Sequence, residues 1–285
     1  MGTEKRLDTN VPGDFYVTEA CINCDQCRQL APPIFSEVGD YSAVISQPWR
    51  EEDRTKAFHA LLSCPTGAIG SERKEGLTEA IADFPLLIEN NVFYCGFTSR
   101  KSYGASSYFI KHPTGNWLVD APRWAPQLVH KFEQLGGIRY IFLTHQDDVA
   151  DAEKYAEKFN AERIIHVLEK NSQPGAEHFI QDRTAVDWAP DFRIIPVPGH
   201  TKGHMVLLYR EKYLFTGDHL AWDRERGQLD ANEDFCWYSW KEQGESMERL
   251  AKERFEWILP GHGDRVYLEA DEMNIAMNQL LSRMK

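Results

Sequence analysis

The chain has 285 residues, 42% of them hydrophobic and 12% aromatic, enough to bury a sizeable core in one domain or two. Its 32 basic residues against 44 acidic ones leave a net charge of −12, spread along the chain rather than gathered in a tail. That balance repels polyanions, so neither nucleic acid nor an anionic membrane surface is expected as a partner. No apolar run is long enough to span a bilayer. The first ten residues lack the apolar stretch of a secretory leader, and Arg6 stands where a myristoylation signal wants Ser or Thr. The expectation is a soluble, cytoplasmic protein.

Six cysteines occur, at Cys21, Cys24, Cys27, Cys64, Cys95 and Cys236. Three fall within seven residues, which suits metal or cluster binding in a reducing compartment better than a disulfide framework. The spacing Cys21-x2-Cys24-x2-Cys27 places three thiolates on a short turning loop, and Cys64, followed by Pro65, can supply a fourth from a distant segment. Ala31 occupies the position where a two-cluster protein has another cysteine, so one cluster is expected. This text, with "APPIF" after the third cysteine and "CPTGAI" around the fourth, resembles the single-cluster [4Fe-4S] ferredoxins over roughly residues 14 to 71. A zinc knuckle is a poor alternative at this spacing. Cys95 and Cys236 read as small buried hydrophobes.

Within this region "AVI" (Ala43 to Ile45) reads as extended, and a helix is expected from about Glu51 to Leu62. The charged stretch "SERKEG", Ser71 to Gly76, reads as a linker. It sets an expected division into a ferredoxin domain over 1–75 and a second domain over 76–285. No internal repeat or low-complexity segment is evident.

From Leu86 onward short apolar strands alternate with amphipathic helices. Strands are expected at "VFYCGF", "SSYFI", "NWLVDA", "YIFLTH", "RIIHVL", "FRIIPV", "HMVLLY", "YLFTGD" and "FEWILPGHG". Helices are expected over about 125–134, 151–159, 240–252 and 269–284. The pattern predicts helices layered on sheet. Ligand-capable residues collect at the downstream ends of the strands. His145 ends "YIFLTH", His200 follows "RIIPVPG", Asp218 ends "YLFTGD" and His262 follows "WILPG". Loops above a rigid sheet are where a preformed metal site places its ligands.

The set and its order resemble the metallo-β-lactamase superfamily over roughly residues 80 to 265. The resemblance implies an αββα sandwich, so the fold class expected is an α+β ferredoxin-like domain followed by an α/β metallo-β-lactamase-like domain. It also implies that His200 binds a first metal, Asp218 bridges two, His262 binds the second, and His204 supports them from behind. The family's loop T-H-x-H-x-D-H departs here, where the text is "THQDDVADA". Counted without gaps, Asp147 replaces the second histidine, and Val149 and Ala150 stand at the Asp-His positions. Counted with two extra residues, Asp151 takes the aspartate role and Ala152 replaces the last histidine.

The metal set is therefore His145, Asp147, Asp148, Asp151, His200, Asp218 and His262, with the roles of the loop aspartates left open. Asp148 and Asp151 also suit the solvated first turn of the following helix. Replacing imidazole by carboxylate hardens a site and moves its preference from zinc toward iron or manganese. The flavodiiron proteins, a redox branch of the superfamily, also carry a carboxylate at the second-histidine position.

The expected cofactors are thus one [4Fe-4S] cluster and one or two Fe, Zn or Mn ions. The expected function is a redox enzyme coupling the cluster to a carboxylate-rich site, with an electron-donor or acceptor protein and a small-molecule substrate as partners. Two alternatives stand beside it: a thioester- or ester-type hydrolase with a structural or regulatory cluster, and a non-catalytic carrier whose second site is empty. Trp222, Phe235, Trp237, Tyr238 and Trp240 read either as a pocket wall or, preferred, as loop packing; His219 is a possible stand-in for the missing histidine.

Overall fold

The computed structural model describes residues 5–285. Two compact units emerge. The first runs to Asn116 and includes Pro122–Gly137; the second comprises Trp117–Ala121 and Ile138–Lys285. Ser71–Gly76 lies inside the first unit, where Ser71 closes a strand and Gly76 precedes a helix.

In the first unit, β1 (Phe15–Val17) pairs antiparallel with β4 (Ile69–Ser71), and β2 (Phe35–Val38) with β3 (Tyr41–Val44). Helix α1 (Gln26–Leu30) follows the cysteine loop, and α2 (Glu51–Ser63) packs Ala57, Phe58 and Leu62 inward. Three carboxylates, Glu51, Glu52 and Asp53, occupy the first turn of α2, where they oppose the helix dipole. After α3 (Leu77–Asp83), β5 (Leu86–Glu89), β6 (Val92–Tyr94) and β7 (Tyr108–Ile110) form an antiparallel meander. Helix α4 (Pro126–Gln134) starts with proline at its first position, where the missing N–H costs nothing, and buries Leu128, Val129 and Phe132.

The second unit contains a run of parallel strands in the order β11 (His178–Ile180), β10 (Glu162–His166), β9 (Tyr140–Phe142), β8 (Trp117–Val119). Helix α5 (Ala152–Phe159) connects β9 to β10, as a parallel crossover requires. A second sheet runs β12 (Val186–Ala189), β13 (Phe192–Pro196), β14 (Met205–Tyr209), β15 (Tyr213–Gly217), β18 (Trp257–Pro260), β19 (Val266–Tyr267). Every residue of β14 and β15 is buried, so these strands read as continuous apolar text rather than alternating.

A small hairpin of β16 (Ala221–Asp223) and β17 (Gln228–Asp230) follows, and then α6 (Trp240–Leu250) and α7 (Ala270–Arg283). Helix α6 begins with a serine N-cap: Ser239 Oγ accepts from the Glu242 N–H at 3.2 Å. Its inward residues Gln243, Ser246, Met247 and Leu250 keep the helical period. Met247 and Leu250 join Met273, Met277 and Leu280 of α7 in a core under Val206, Leu214 and Ile258. The architecture is the helix-on-sheet sandwich expected. Among the described residues, no helix is long and apolar enough to cross a membrane.

Candidate metal centres

In the first unit Cys21, Cys24, Cys27 and Cys64 line one cavity together with Val17, Ile22, Ala68 and Ile69. Burial, with mutual repulsion among the thiolates, pushes the Cys24 and Cys27 thiols up to about 12, although the Gln26 N–H favours the Cys24 thiolate and Ser42 the Cys27 thiolate. Four sulfurs in an apolar cavity thus call for a cationic guest. Among the described residues no three cysteine sulfurs lie within 4.8 Å of one another. A single zinc ion needs thiolates about 3.8 Å apart, so the spacing suits a larger cluster.

The cysteine loop is held from outside. Gln26 Nε2 donates to Ser106 Oγ at 3.0 Å, Tyr94 Oη donates to Gln26 Oε1 at 2.6 Å, and Tyr103 Oη donates to the Ile22 carbonyl at 2.6 Å. Arg123 donates to the carbonyls of Leu62, Cys64 and Thr98. Gly104, at φ +90°, leaves room for the loop: a Cβ there would lie 2.9 Å from Cys24 Cβ and 3.0 Å from Cys24 Sγ. A cluster held by these cysteines supplies one-electron transfer.

The second unit gathers its ligand-capable residues from four segments. His145 follows β9 and is fully buried; His200 lies after β13, Asp218 after β15, and His262 after β18. Asp218 is the hub. Its Oδ2 lies 3.6 Å from His145 Nε2, 3.7 Å from His200 Nε2 and 3.9 Å from His262 Nε2. These separations are too long for hydrogen bonds and near the spacing, about 3 to 3.5 Å, that ligands around one ion keep from each other. His145 Nε2, His200 Nε2, Asp218 Oδ1 and both oxygens of Asp148 are buried with no hydrogen-bond partner. Such a set of orphaned buried donors fits a cation.

The loop after His145 turns tightly through Gln146–Asp148 and then places Ala150 in the left-handed region at φ +36°. Two neighbouring aspartates consequently join different ligand groups. Asp147, half exposed, groups with His145 and His200; Asp148, buried, groups with His145 and Asp218. Asp148 is no solvated helix-turn carboxylate. Asp151 does lie at the head of α5, where it pairs with Lys154 at 3.2 Å, and it belongs to neither group. Gly261 admits this crowding, since a Cβ would fall 2.6 Å from both Asp148 Oδ2 and Asp218 Oδ1.

Charges in the cluster sort by environment. Burial disfavours charge on His145, but Asp148, Asp218 and Asp120 outweigh it and hold the imidazolium up to about 10. Burial and the neighbouring His145 lower His200 to about 4. Burial raises Asp148 well above its usual range, reinforced by Asp218. Asp218 is depressed: burial opposes this, but His262, His145 and His200 prevail. His204 is fully buried behind the cluster, its ring 4.7 Å from that of His145 and its Nε2 at 2.9 Å from the Thr216 carbonyl. His219, also buried, lies next to His204 and outside both ligand groups.

Two supporting residues escape sequence reasoning. Asp120, after β8, accepts from the Thr144 N–H at 2.8 Å and from Thr144 Oγ1 at 3.0 Å, and Thr144 Oγ1 lies 3.0 Å from His145 Nδ1. With the Thr144 hydrogen directed to the carboxylate, Thr144 Oγ1 accepts from His145 Nδ1–H, which leaves Nε2 facing Asp218. The signal was present, because Asp120 ends "NWLVD" as Asp218 ends "YLFTGD". Glu169, buried, accepts from the Gly203 N–H and steadies the loop between His200 and His204.

Comparison with known proteins matches two stretches of the chain to families. Residues 17–71 match the family described as the 4Fe-4S single cluster domain of Ferredoxin I, and residues 102–262, more than half of the chain, match the metallo-beta-lactamase superfamily. The chain belongs to the metallo-beta-lactamase superfamily. A metallo-beta-lactamase from Pontibacter korlensis is 17% identical, with a TM-score of 0.50 over 70% of this chain and 96% of that one. The FIM-1 enzyme from Pseudomonas aeruginosa, in a mono-zinc form, is 17% identical at a TM-score of 0.48, covering 63% and 84%. An archaeal superfamily protein from Sulfolobus tokodaii is 18% identical at 0.43, covering 63% and 79%. At 17% identity the likeness to the Pontibacter korlensis enzyme is one of fold alone.

Proposed function

We propose that the protein is a redox metalloenzyme in which a [4Fe-4S] cluster exchanges electrons with an iron-preferring centre in the second unit. The observation that carries this reading is the donor set. Around His145 lie three carboxylates, Asp147, Asp148 and Asp218, with His200 and His262 as further imidazoles. Oxygen-rich sets of this kind favour iron or manganese over zinc. A one-electron cluster in the same chain gives such a centre a use that hydrolysis lacks. The docking partner for electron exchange is a second redox protein, and the substrate is a small molecule.

Hydrolysis is the second reading, supported by the group His145, Asp147 and His200, which forms a three-ligand site by itself. An ion held there lowers the pKa of a bound water. Metal analysis of anaerobically purified protein separates the two. The redox reading expects more than four irons per chain, with the excess lost in both His200→Ala and Asp218→Ala. Four irons with stoichiometric zinc would favour hydrolysis. Non-cluster metal that survives both substitutions would refute both.

A further inference from the structure

The loop joining β17 to α6 carries three large aromatic side chains into water. Phe235 is 59% exposed, Trp237 64% and Tyr238 41%, whereas Trp222 and Trp240 of the same stretch pack on the core. Loop packing thus accounts for two of the five aromatics and leaves three unexplained. The loop is pinned in place. The N–H groups of Trp237 and Tyr238 donate to the His200 carbonyl at 2.9 and 3.1 Å, and the Ser239 N–H and Cys236 Sγ donate to the Gly199 carbonyl at 3.0 and 3.2 Å. Trp237 stands with its ring centre 6.1 Å from that of His200, and Phe235 meets Trp237 edge-on at 6.1 Å.

We propose that Phe235, Trp237 and Tyr238 form a shelf that binds the planar aromatic body of a small, neutral organic substrate beside His200. The role as substrate shelf rests on the reading of the His145–Asp218 cluster as the reaction centre. Size selects the occupant. Three aromatic side chains, each covering about 150–250 Å² when buried and here roughly half exposed, offer about 300 Å². A stable protein partner or a second copy needs about 800 Å² per side, so the shelf suits a ligand of one or two rings. Charge selects it further. Glu233 and Asp234 are exposed on the same loop and Asp147 is half exposed nearby. Of the two cations beside Tyr238, Arg183 is already paired with Glu242 at 2.8 Å, which leaves Lys202, 6.0 Å from the Tyr238 ring, against those three carboxylates. An anionic body would meet carboxylates, and a neutral π-system stacks on the rings without that penalty.

The neutral fluorophore N-phenyl-1-naphthylamine, titrated into the full-length protein, tests the shelf. One saturable site is expected, weakened at least tenfold by Trp237→Ala and by Phe235→Ala, with thermal midpoints unchanged because both side chains are exposed. Trp49→Ala removes the 92% exposed tryptophan of the first unit and should leave binding intact. Binding that ignores the two loop substitutions, or that disappears with Trp49, overturns the proposal. Co2+ added to the wild type should quench the bound probe. Bound Co2+ without quenching would detach the shelf from the centre. Failure to bind Co2+ at all would instead sink the reading of the centre while the loop variants still report on the shelf.

Discussion

Four thiols between positions 21 and 64 line the cavity of the first unit, whereas the cluster of the second draws on residues from 145 to 262. The first centre is uniform in chemistry, apolar in its walls and defined by spacing along the chain. The second mixes imidazole with carboxylate, crowds orphaned donors around Asp218, and owes its convergence to strand order. A short motif can thus specify a soft-ligand site almost by itself, while a mixed site is specified by the sheet beneath it. Errors of a residue or two matter far more in the second kind.

The largest expected effect tests whether the two centres are separable. Cys27→Ser should remove the cluster absorbance and its four irons while the ion of the second unit stays bound. His145→Ala, which removes the residue common to both ligand groups, should do the reverse. Metal analysis of the two variants beside the wild type checks both halves. If either substitution empties both centres, the two centres are not independent.

A smaller effect probes the support behind His145. Asp120→Asn keeps the shape, but its amide can donate to Thr144 Oγ1 and so free the Thr144 hydrogen for His145 Nδ1. That moves the histidine proton to Nε2, the wrong side for a ligand. Loss of an outer partner of this kind weakens metal binding by about 10- to 100-fold. Chelator competition above pH 7 measures it, because burial raises the Asp120 carboxyl to about 7 and the wild-type carboxylate is ionised there. Equal affinities would show that Asp120 serves only the fold.

Much of this was legible in the sequence, unevenly so. The cysteine spacing announced a cluster loop, and the strand ends placed His145, His200, Asp218 and His262 together. What the text could not show was the turn after His145. Whether Asp147, Asp148 or Asp151 faces the cluster depends on the tight turn at Gln146–Asp148 and on the left-handed Ala150, neither of which has a residue-type signature. Asp120 was missed because its partner Thr144 is adjacent only after β8 pairs with β9. Short, partly exposed strands such as β12 and β16 lacked the apolar runs that revealed β14 and β15. The cysteine loop's outside contacts were equally hidden, since Gln26 reads as an ordinary polar residue until Tyr94 and Ser106 are seen to hold it.

The finest distinction between the centres concerns protons. In the metal-free second unit His145 is held charged up to about pH 10 by Asp148, Asp218 and Asp120. A raised histidine pKa stabilises the metal-free fold below about pH 6.5, its ordinary value, and that contribution is lost as pH rises through 10. An ion needs Nε2 bare, so binding must displace the proton that the carboxylates hold there. At pH 8, where Asp120 is ionised and His200 neutral, the expected release is about one proton per ion, read from a pH indicator in weakly buffered solution. Affinity should accordingly rise about tenfold per pH unit between 8 and 10 and level off above. His145→Gln keeps an oxygen that can face the ion but carries no displaceable proton, so at ion concentrations that saturate the weakened site both the release per bound ion and the slope should vanish. An unchanged release in that variant would place the displaced proton on another group, with Asp148, raised by its burial, the one remaining donor in the ligand groups.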